Sequence, residues 1–453
     1  MYGYIVVVLC VVSVPLIVLA LNRTFLEISW RRRSFGGLIF AREVFLLILP
    51  GIMLYALGIY KNYKFFYVTE ESMREATLFS LYGLWGFVLT VAVISRVLLP
   101  HKYLRPPKKM ELTSYDWAIF GQIYKVSLIA LIVLTCFFLA MGMKHSLVSA
   151  LGGIDLMAVR LQNRYMIAIP TIFMSLYRFL YVLASILFGL LFLRLSWISK
   201  IFGIFVILFS VSFLGDKAPI LWSIITIVLA YISVSPKVNF FKLMRGGIIL
   251  GLLSLFGLYA LAYLQFGGIG PGEFFEFVVG RAGLGQMFGA YEQFGLRLRD
   301  INYVWHSVPF ANIFIDYPVF NKDLMMSSWA AANSADETGV VNSFFIGEAF
   351  AIGGYPLLIA SPAIVGASYC ASIFVLMAFC HRFFGLTVPA ARALLQFIVP
   401  SFFVLTADMA GFLFLKLLII FLIFCVILWT VRSLLFSRSI MERERRRLPA
   451  AVS

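Results

Sequence analysis

The stretch Phe266-Gly-Gly-Ile-Gly-Pro-Gly272 interrupts a chain that is otherwise almost continuously apolar. Four glycines and one proline among these seven residues prevent a helix from continuing, because glycine leaves the backbone free and proline cannot donate its helical hydrogen bond. The stretch opens a loop of aromatic, glycine and charged residues that closes with Gly347-Glu-Ala-Phe-Ala-Ile-Gly-Gly-Tyr355. If this protein performs chemistry, we expect much of it in this loop.

The composition around the loop is that of a membrane protein. Hydrophobic residues make up 62% of the 453 residues and charged residues only 13%, and the mean hydropathy is +0.97. No soluble domain of this length has enough interior to hide so much apolar surface. The apolar segments should be helices, because a helix satisfies its own backbone hydrogen bonds in lipid.

Apolar windows of about 20 residues, the length that crosses a bilayer, predict eleven transmembrane helices. They lie near residues 4–21, 38–60, 77–99, 118–142, 171–193, 197–214, 218–234, 246–265, 354–379, 388–405 and 411–432. We therefore expect an all-α polytopic membrane protein with one large loop. Its parts are helices one to eight (1–265), the loop (266–353), helices nine to eleven (354–432) and a basic tail (433–453). The first window has no preceding basic residue, so we interpret it as a retained span rather than a signal peptide.

The basic residues orient these helices. Lysine and arginine accumulate in alternate loops, for example at Arg31 to Arg33, at Lys108 and Lys109, and in the tail at Arg445 to Arg447. Because such loops stay in the cytoplasm, the pattern predicts an outer N-terminus, an inner C-terminus and an outer position for the large loop. The net charge of +16 is then explained by topology and by anionic lipid headgroups rather than by nucleic acid.

Several classes of site are absent from the sequence. The five cysteines all fall in apolar segments without a CxxC spacing, so neither a disulfide framework nor a zinc site is indicated. The chain has no GxxxxGK[ST], no HExxH and no acidic DxD pair. We expect no cofactor and no metal, and a lipid-linked substrate fits this inventory better than a soluble nucleotide.

The informative charges are those on the outer side, where topology gives cations no role. Arg160 and Arg164 are four residues apart, so on a helix they share one face. Asp216 and Lys217 form the short turn before the seventh span, and Arg281 lies in the large loop. An anion bound between such groups would relieve their repulsion, but snorkelling at the interface and local salt bridges explain them equally well.

Other candidates in or near the outer side complete the set. The large loop also contains Arg297, Arg299 and His306, and Glu348 precedes the ninth span. Arg178 lies within the fifth span and would line a cavity leading down from the outer surface. The alternatives remain open: His306 as part of an aromatic cluster, and Glu348 as a helix-capping charge.

Taken together, these features resemble the bacterial O-antigen polymerases, which join lipid-linked glycan units at the outer face of the inner membrane. The resemblance rests on the number of spans with one large late loop, on Arg160-Leu-Gln-Asn-Arg164, on the Gly-Asp-Lys turn ending at Lys217, and on Gly347 to Gly354 running into Gly366. Family members commonly carry arginine where this chain has Lys217.

The resemblance implies a GT-C-like architecture and a metal-independent, inverting glycosyl transfer from undecaprenyl diphosphate. On this interpretation Arg160, Arg164, Lys217 and Arg281 bind the diphosphate. Glu348 or His306 addresses the attacking hydroxyl.

The implied partners are donor and acceptor glycans on undecaprenyl diphosphate, membrane lipids and a chain-length regulator protein. Two alternatives remain: an O-antigen ligase, which uses a similar donor with lipid A core as acceptor, and a transporter or flippase of lipid-linked glycan.

Overall fold

The computed structural model of the chain describes most of the apolar segments and much of the large loop. The described residues are 2–29, 34–59, 67–99, 101–106, 110–152, 159, 162–163, 171–214, 217–235, 251–252, 255–257, 259–260, 263, 268–308, 311, 314–328, 342–406 and 415–435. Within them the regular structure is helical, apart from one isolated bridge between Ser29 and Ser34. The fold class is therefore all-α, as the composition predicts.

The main helices are numbered here in chain order. They are α1 (Tyr2–Leu21), α2 (Gly36–Ala56), α3 (Glu70–Leu98), α4 (Ser114–Ala140), α5 (Thr171–Leu191), α6 (Trp197–Ser212), α7 (Lys217–Val234), α8 (Pro271–Val279), α9 (Gly285–Leu296), α10 (Phe320–Ser328), α11 (Phe345–Phe383), α12 (Val388–Phe402) and α13 (Leu415–Leu435).

Six of these helices, in the part of the chain that the structure describes, are long and apolar enough to cross a membrane: α1 to α5 and α11. Four further apolar windows fall on helices with shorter apolar portions, in α6, α7, α12 and α13. The window at 246–265 lies mostly outside the described residues. The chain is thus an all-α membrane protein, and the number eleven stays a prediction.

The chain divides into two compact units. The first contains Met1–Lys108, Phe275–Phe379 and Val399–Ile423, so the described part of the large loop after Phe275 belongs with the first three apolar helices. In α9 of this loop, the Tyr291 ring lies 4.0 Å from that of Tyr55 in α2. The Tyr291 hydroxyl is 2.9 Å from Thr77 Oγ1 in α3. This part of the loop is therefore packed along α2 and α3.

A buried acid fixes another part of the first unit. Glu43 begins a π-helical turn, Glu43–Ile48, inside α2 and is 1% exposed. Its Oε1 accepts hydrogen bonds from the Thr406 amide at 2.7 Å and from Thr406 Oγ1 at 3.0 Å. A buried carboxylate is stable only when its hydrogen bonds are made. Glu43 therefore ties the chain after α12 to α2.

The second unit contains Lys109–Phe274, Cys380–Ile398 and Phe424–Ser453. Its α5 packs against both α4 and α7. Asp116, in the first turn of α4, is fully buried. It accepts hydrogen bonds from Thr113 as an N-terminal capping box and from the Thr387 amide and hydroxyl, both at 2.9 Å. One carboxylate thus joins the start of α4 to the segment that leads into α12.

Candidate functional site

The helix α11 is a hairpin of two helical arms that turn at Gly354. Gly354 has φ 67° and ψ −157°, which no helical residue adopts. Beyond the turn, Tyr355 contacts Glu75 at the start of α3, and the Tyr82 hydroxyl donates to the Ile359 carbonyl at 2.7 Å. The second arm therefore runs along α3, away from Glu75.

The first arm runs back along α3 as well. A Cβ on Gly83 would lie 3.0 Å from Ile346 Cγ2, so the arm touches α3 where Gly83 leaves room. Gly83 is eight residues beyond Glu75, about 12 Å along the helix. The Phe345 amide, at the start of the arm, donates to the Leu405 carbonyl at 3.2 Å. Gly354 is thus the tip of the hairpin, and both arms lead away from it.

The sequence Gly353-Gly-Tyr-Pro356 explains the tip. Only glycine tolerates the positive φ at Gly354 without strain, and a Cβ there would lie 2.5 Å from Arg299 Nη1. Pro356 has no N–H to continue the helical ladder. Two carbonyls before the turn accept bonds from the loop: Arg299 Nη1 donates to Phe350 O at 2.6 Å, and the Asp300 amide donates to Ala351 O at 3.1 Å.

Arg299 is held above an aromatic stack. Its guanidinium carbon lies 3.9 Å from the centroid of the Phe350 ring, a cation–π distance. The Phe350 ring stacks on Phe294 of α9 at 4.8 Å with an interplanar angle of 11°. A guanidinium fixed on a ring in this way is pre-organised, so it loses little side-chain freedom when it binds an anion.

Arg297 reaches the same tip from the end of α9. It takes a left-handed conformation, φ 56°, and its amide donates to the Gln293 carbonyl at 2.7 Å, which ends the helix. Arg297 Nη2 lies 3.4 Å from Glu75 Oε2, and the Tyr355 hydroxyl donates to Glu75 Oε1. We call Arg297, Arg299, Glu75 and Tyr355 the tip cluster. It combines two cations, one carboxylate and one phenol at the start of α3 and at the turn of α11.

In the second unit, Lys144 is hydrogen-bonded to Asn163, which lies in the predicted arginine segment. Asn163 lies between Arg160 and Arg164 in the sequence. Its Oδ1 accepts from the Lys144 amide at 3.0 Å, and its Nδ2 donates to the Lys144 carbonyl at 2.7 Å. The Ser146 amide donates to the carbonyl of Phe213 at 3.0 Å, shortly before α7 begins. Lys144 and Ser146 therefore connect Asn163 to Phe213.

His145 sits at this connection as a neutral packing residue. Its ring centroid lies 4.1 Å from that of Phe209 and 5.3 Å from that of Phe213. Its Nε2 is 3.0 Å from the Phe209 carbonyl oxygen. Burial lowers the pKa of the His145 imidazole below its usual value, because a low-polarity site disfavours the charged ring. We assign it a structural role.

The other residues predicted from the sequence are placed as follows. Arg160, Arg164 and Asp216 lie outside the described residues. Lys217 is the first residue of α7, and Arg281 lies in the π-helical turn Gly280–Leu284; the backbone of both is described but not the side chain. Arg178 is on α5 with an exposed side chain. The side chains of all four diphosphate-binding candidates therefore lie outside the described part of the chain.

The two predicted bases lie on different elements of the first unit. Glu348 is in the first arm of the hairpin and 1% exposed. His306 is half-buried in the 3-10 helix Ile301–Ser307, and its ring centroid is 6.2 Å from that of Tyr317. Among the predicted residues, Glu348 lies in the hairpin and Arg297 and Arg299 contact its tip, whereas His306 belongs to the loop beyond Asp300.

The sequence interpretation missed Glu75, Tyr355 and Asn163. Glu75 appears in the sequence only as one of three acids near the start of α3, and Tyr355 as the first aromatic residue of an apolar span. Glu75 pairs with partners 222 and 280 residues away, so no local spacing could reveal these pairs. Asn163 had one local signal, its place between two arginines.

No metal-binding group of three or more His, Cys, Asp or Glu side chains occurs among the residues that the structure describes. No family model matches the chain, and neither a curated protein nor a solved structure is similar enough to count as a match.

Proposed function

We propose that this protein is a polymerase that joins undecaprenyl-diphosphate-linked oligosaccharide repeat units at the periplasmic face of a bacterial inner membrane. The reaction is a metal-independent, inverting glycosyl transfer in which the growing chain leaves its lipid diphosphate. The observation that carries the proposal is the pair Arg297 and Arg299, both anchored beside the turn at Gly354. By the topology of the basic loops this turn lies on the outer side.

An arginine pair suits this reaction because the leaving group gains negative charge as the glycosidic bond breaks. Guanidinium groups bind phosphate oxygens through parallel N–H bonds, and pre-organised donors stabilise charge that develops in the transition state. Arg299 is already oriented by Phe350. Arg160, Arg164, Lys217 and Arg281 keep the diphosphate-binding role that the sequence predicts for them, and Arg178 stays a further candidate.

The acceptor hydroxyl needs a group that orients it and removes its proton. Glu348 and His306 keep this role as predictions from the sequence. The exposed aromatic ring of Tyr355 is a suitable face for a sugar ring, because aromatic rings pack against the apolar face of pyranoses. The metal-independent character of the proposal is the one that the resemblance to the O-antigen polymerases implies.

A deletion in a host that makes a polymeric surface glycan tests the proposal. A polymerase mutant leaves single repeat units attached to the acceptor. A ligase mutant leaves long chains that are not attached, and a flippase mutant leaves lipid-linked units facing the cytoplasm. Only the first outcome agrees with the proposal. The matched biochemical assay incubates the purified full-length protein with its lipid-linked repeat unit and measures chain length by electrophoresis.

A further inference from the structure

The carboxylate of Glu75 is the centre of the tip cluster. Its Oε2 faces Arg297 at 3.4 Å and its Oε1 accepts the hydroxyl of Tyr355. The side chain is 18% exposed, so it is held by two partners and still reaches the surface. An ionised carboxylate offers about four lone-pair positions, which leaves capacity for a further hydroxyl donor.

The neighbours of Glu75 are those that a sugar acceptor requires. Tyr355 is 39% exposed, and its hydroxyl donates to the Glu75 carboxylate. Arg299 covers one face of the Phe350 ring, and Phe294 stacks on the opposite face. Arg299 is two residues from Arg297 in the sequence. A leaving diphosphate bound by these arginines would therefore lie next to a hydroxyl bound by Glu75.

We propose that Glu75 is the general base of the glycosyl transfer, with Tyr355 as the residue that orients it. This inference rests on the proposed polymerase function. Glu75 fits the role better than Glu348, which is 1% exposed. It also fits better than His306, which is not part of the tip cluster and packs towards Tyr317.

The step balances without any further reactant. The acceptor hydroxyl oxygen forms the new bond to the anomeric carbon of the donor, and its proton passes to the Glu75 carboxylate. The bond between that anomeric carbon and the diphosphate oxygen breaks, and its electron pair stays on the undecaprenyl diphosphate. Arg297 and Arg299 stabilise that charge, and Glu75 afterwards releases its proton to water.

The test compares Glu75→Gln with Glu71→Gln in the purified full-length protein. Glu71 is an exposed acid one turn earlier on α3, so it controls for the loss of one charge at the same helix end. Polymerisation is measured with the lipid-linked repeat unit, and donor-site occupancy with undecaprenyl diphosphate by native mass spectrometry. We expect Glu75→Gln to lose about 100-fold or more in rate, the usual contribution of a general base. It should still bind undecaprenyl diphosphate, and Glu71→Gln should behave as wild type.

The other possible results decide between the inference about Glu75 and the proposed function. A Glu75→Gln variant that polymerises at the wild-type rate overturns the inference and leaves the polymerase function standing. A wild-type protein that forms no polymer removes the proposed function and the inference together. If Glu75→Gln melts at a lower temperature than wild type, Glu75→Asp decides: a slow but measurable polymerisation supports the inference, and a folded, inactive Asp variant overturns it.

Discussion

Arg299 binds Phe350 twice: its guanidinium donates to the Phe350 carbonyl at 2.6 Å and covers the Phe350 ring at 3.9 Å. The first contact occupies a carbonyl near the break in α11, and the second fixes the plane of the cation. One side chain therefore stabilises the hairpin and presents a charge at its tip. Substitutions here should affect folding and catalysis to different degrees, which makes the two roles separable.

Replacing Arg299 should be more disruptive than replacing Arg297. Arg299→Lys keeps the charge but loses the flat, stacked guanidinium, so we expect a measurable fall in melting temperature together with loss of polymerisation. Arg297→Ala removes a half-exposed pair at 3.4 Å, which is worth about 0–1 kcal/mol of stability. Its activity should still fall about 100-fold, as for one lost transition-state donor. Thermal unfolding and the polymerisation assay measure the two effects.

Arg74→Ala is the control for this pair. Arg74 lies on the same outer turn of α3 as Glu75 and forms an exposed bond to Glu70 at 2.6 Å. It should retain both melting temperature and activity. Equal losses in the Arg74 and Arg297 variants would mean that general surface charge, rather than the tip cluster, supports the reaction.

Gly354→Ala should open the hairpin tip. Alanine at φ 67° and ψ −157°, a region that is essentially confined to glycine, costs about 1–3 kcal/mol, and its Cβ would displace the Arg299 guanidinium. We expect lower thermal stability and loss of polymerisation. Gly121→Ala in α4 is the matched control, because nothing lies within 4 Å of an added Cβ there. An active, stable Gly354→Ala protein would show that the turn does not need its present geometry.

Thr406→Val should destabilise the first unit through Glu43. The substitution removes the hydroxyl that donates to Glu43 Oε1 at 3.0 Å, and an incompletely satisfied buried carboxylate costs about 1–3 kcal/mol. Ser433→Ala, which removes an exposed hydroxyl from α13, serves as the control. The measurement is the melting temperature in detergent; unchanged melting of the Thr406 variant would contradict the role of Glu43 as a tie between α2 and the chain after α12.

Asn163→Ala should release the arginine segment from Lys144. Two part-buried hydrogen bonds to the Lys144 backbone are lost, and each is worth about 0.5–1.5 kcal/mol, so we expect about 1–3 kcal/mol of destabilisation. Polymerisation should fall as well if Arg160 and Arg164 act at the site. Asn302→Ala, whose side chain lies exposed in the loop, is the comparison. A fully active Asn163→Ala protein would show that polymerisation does not depend on the hydrogen bonds between Asn163 and Lys144.

Asp323→Asn should change how stability depends on pH. Burial raises the pKa of the Asp323 carboxyl above its ordinary value of 3.8, with Asp300 acting in the same direction and Tyr303 opposing. The folded state therefore binds the proton more tightly than the unfolded state, and stability falls as pH rises from the ordinary value through the raised one. The variant should melt higher than wild type at neutral pH, and the difference should vanish in acid. A pH-independent difference would contradict this.

The sequence predicts the helices of this protein well because a bilayer demands helices of a fixed apolar length. Ten predicted windows fall on helices, including α4 and α5. It does not predict the first arm of the hairpin, Phe345 to Gly353, because nine residues are too short for a span and follow a polar loop. Nor does it predict that Glu75 meets Tyr355. That pairing depends on how α3 and α11 pack, and 280 residues separate its members.

The candidate residues, like the helices, could be predicted from the sequence only in part. Arg297 and Arg299 stand out in the sequence as cations without a topological role, and the structure adds what orients them. Their order of importance could not be predicted, because Arg281 and Arg299 look alike when each is read as an arginine in a polar loop. The ring of Phe350 and the carbonyl beside it show how Arg299 is anchored, whereas the side chain of Arg281 lies outside the described part of the chain.

The hairpin of α11 also constrains how the chain is assembled. Its first arm, about 13 Å long, cannot be recognised as a membrane helix during synthesis, because such recognition needs about 20 apolar residues. It contacts α3 through Gly83 and the chain after α12 through Leu405. The bond between the Phe345 amide and the Leu405 carbonyl can therefore form only after the chain beyond α12 has been synthesised, later than the contact between the first arm and α3 becomes possible.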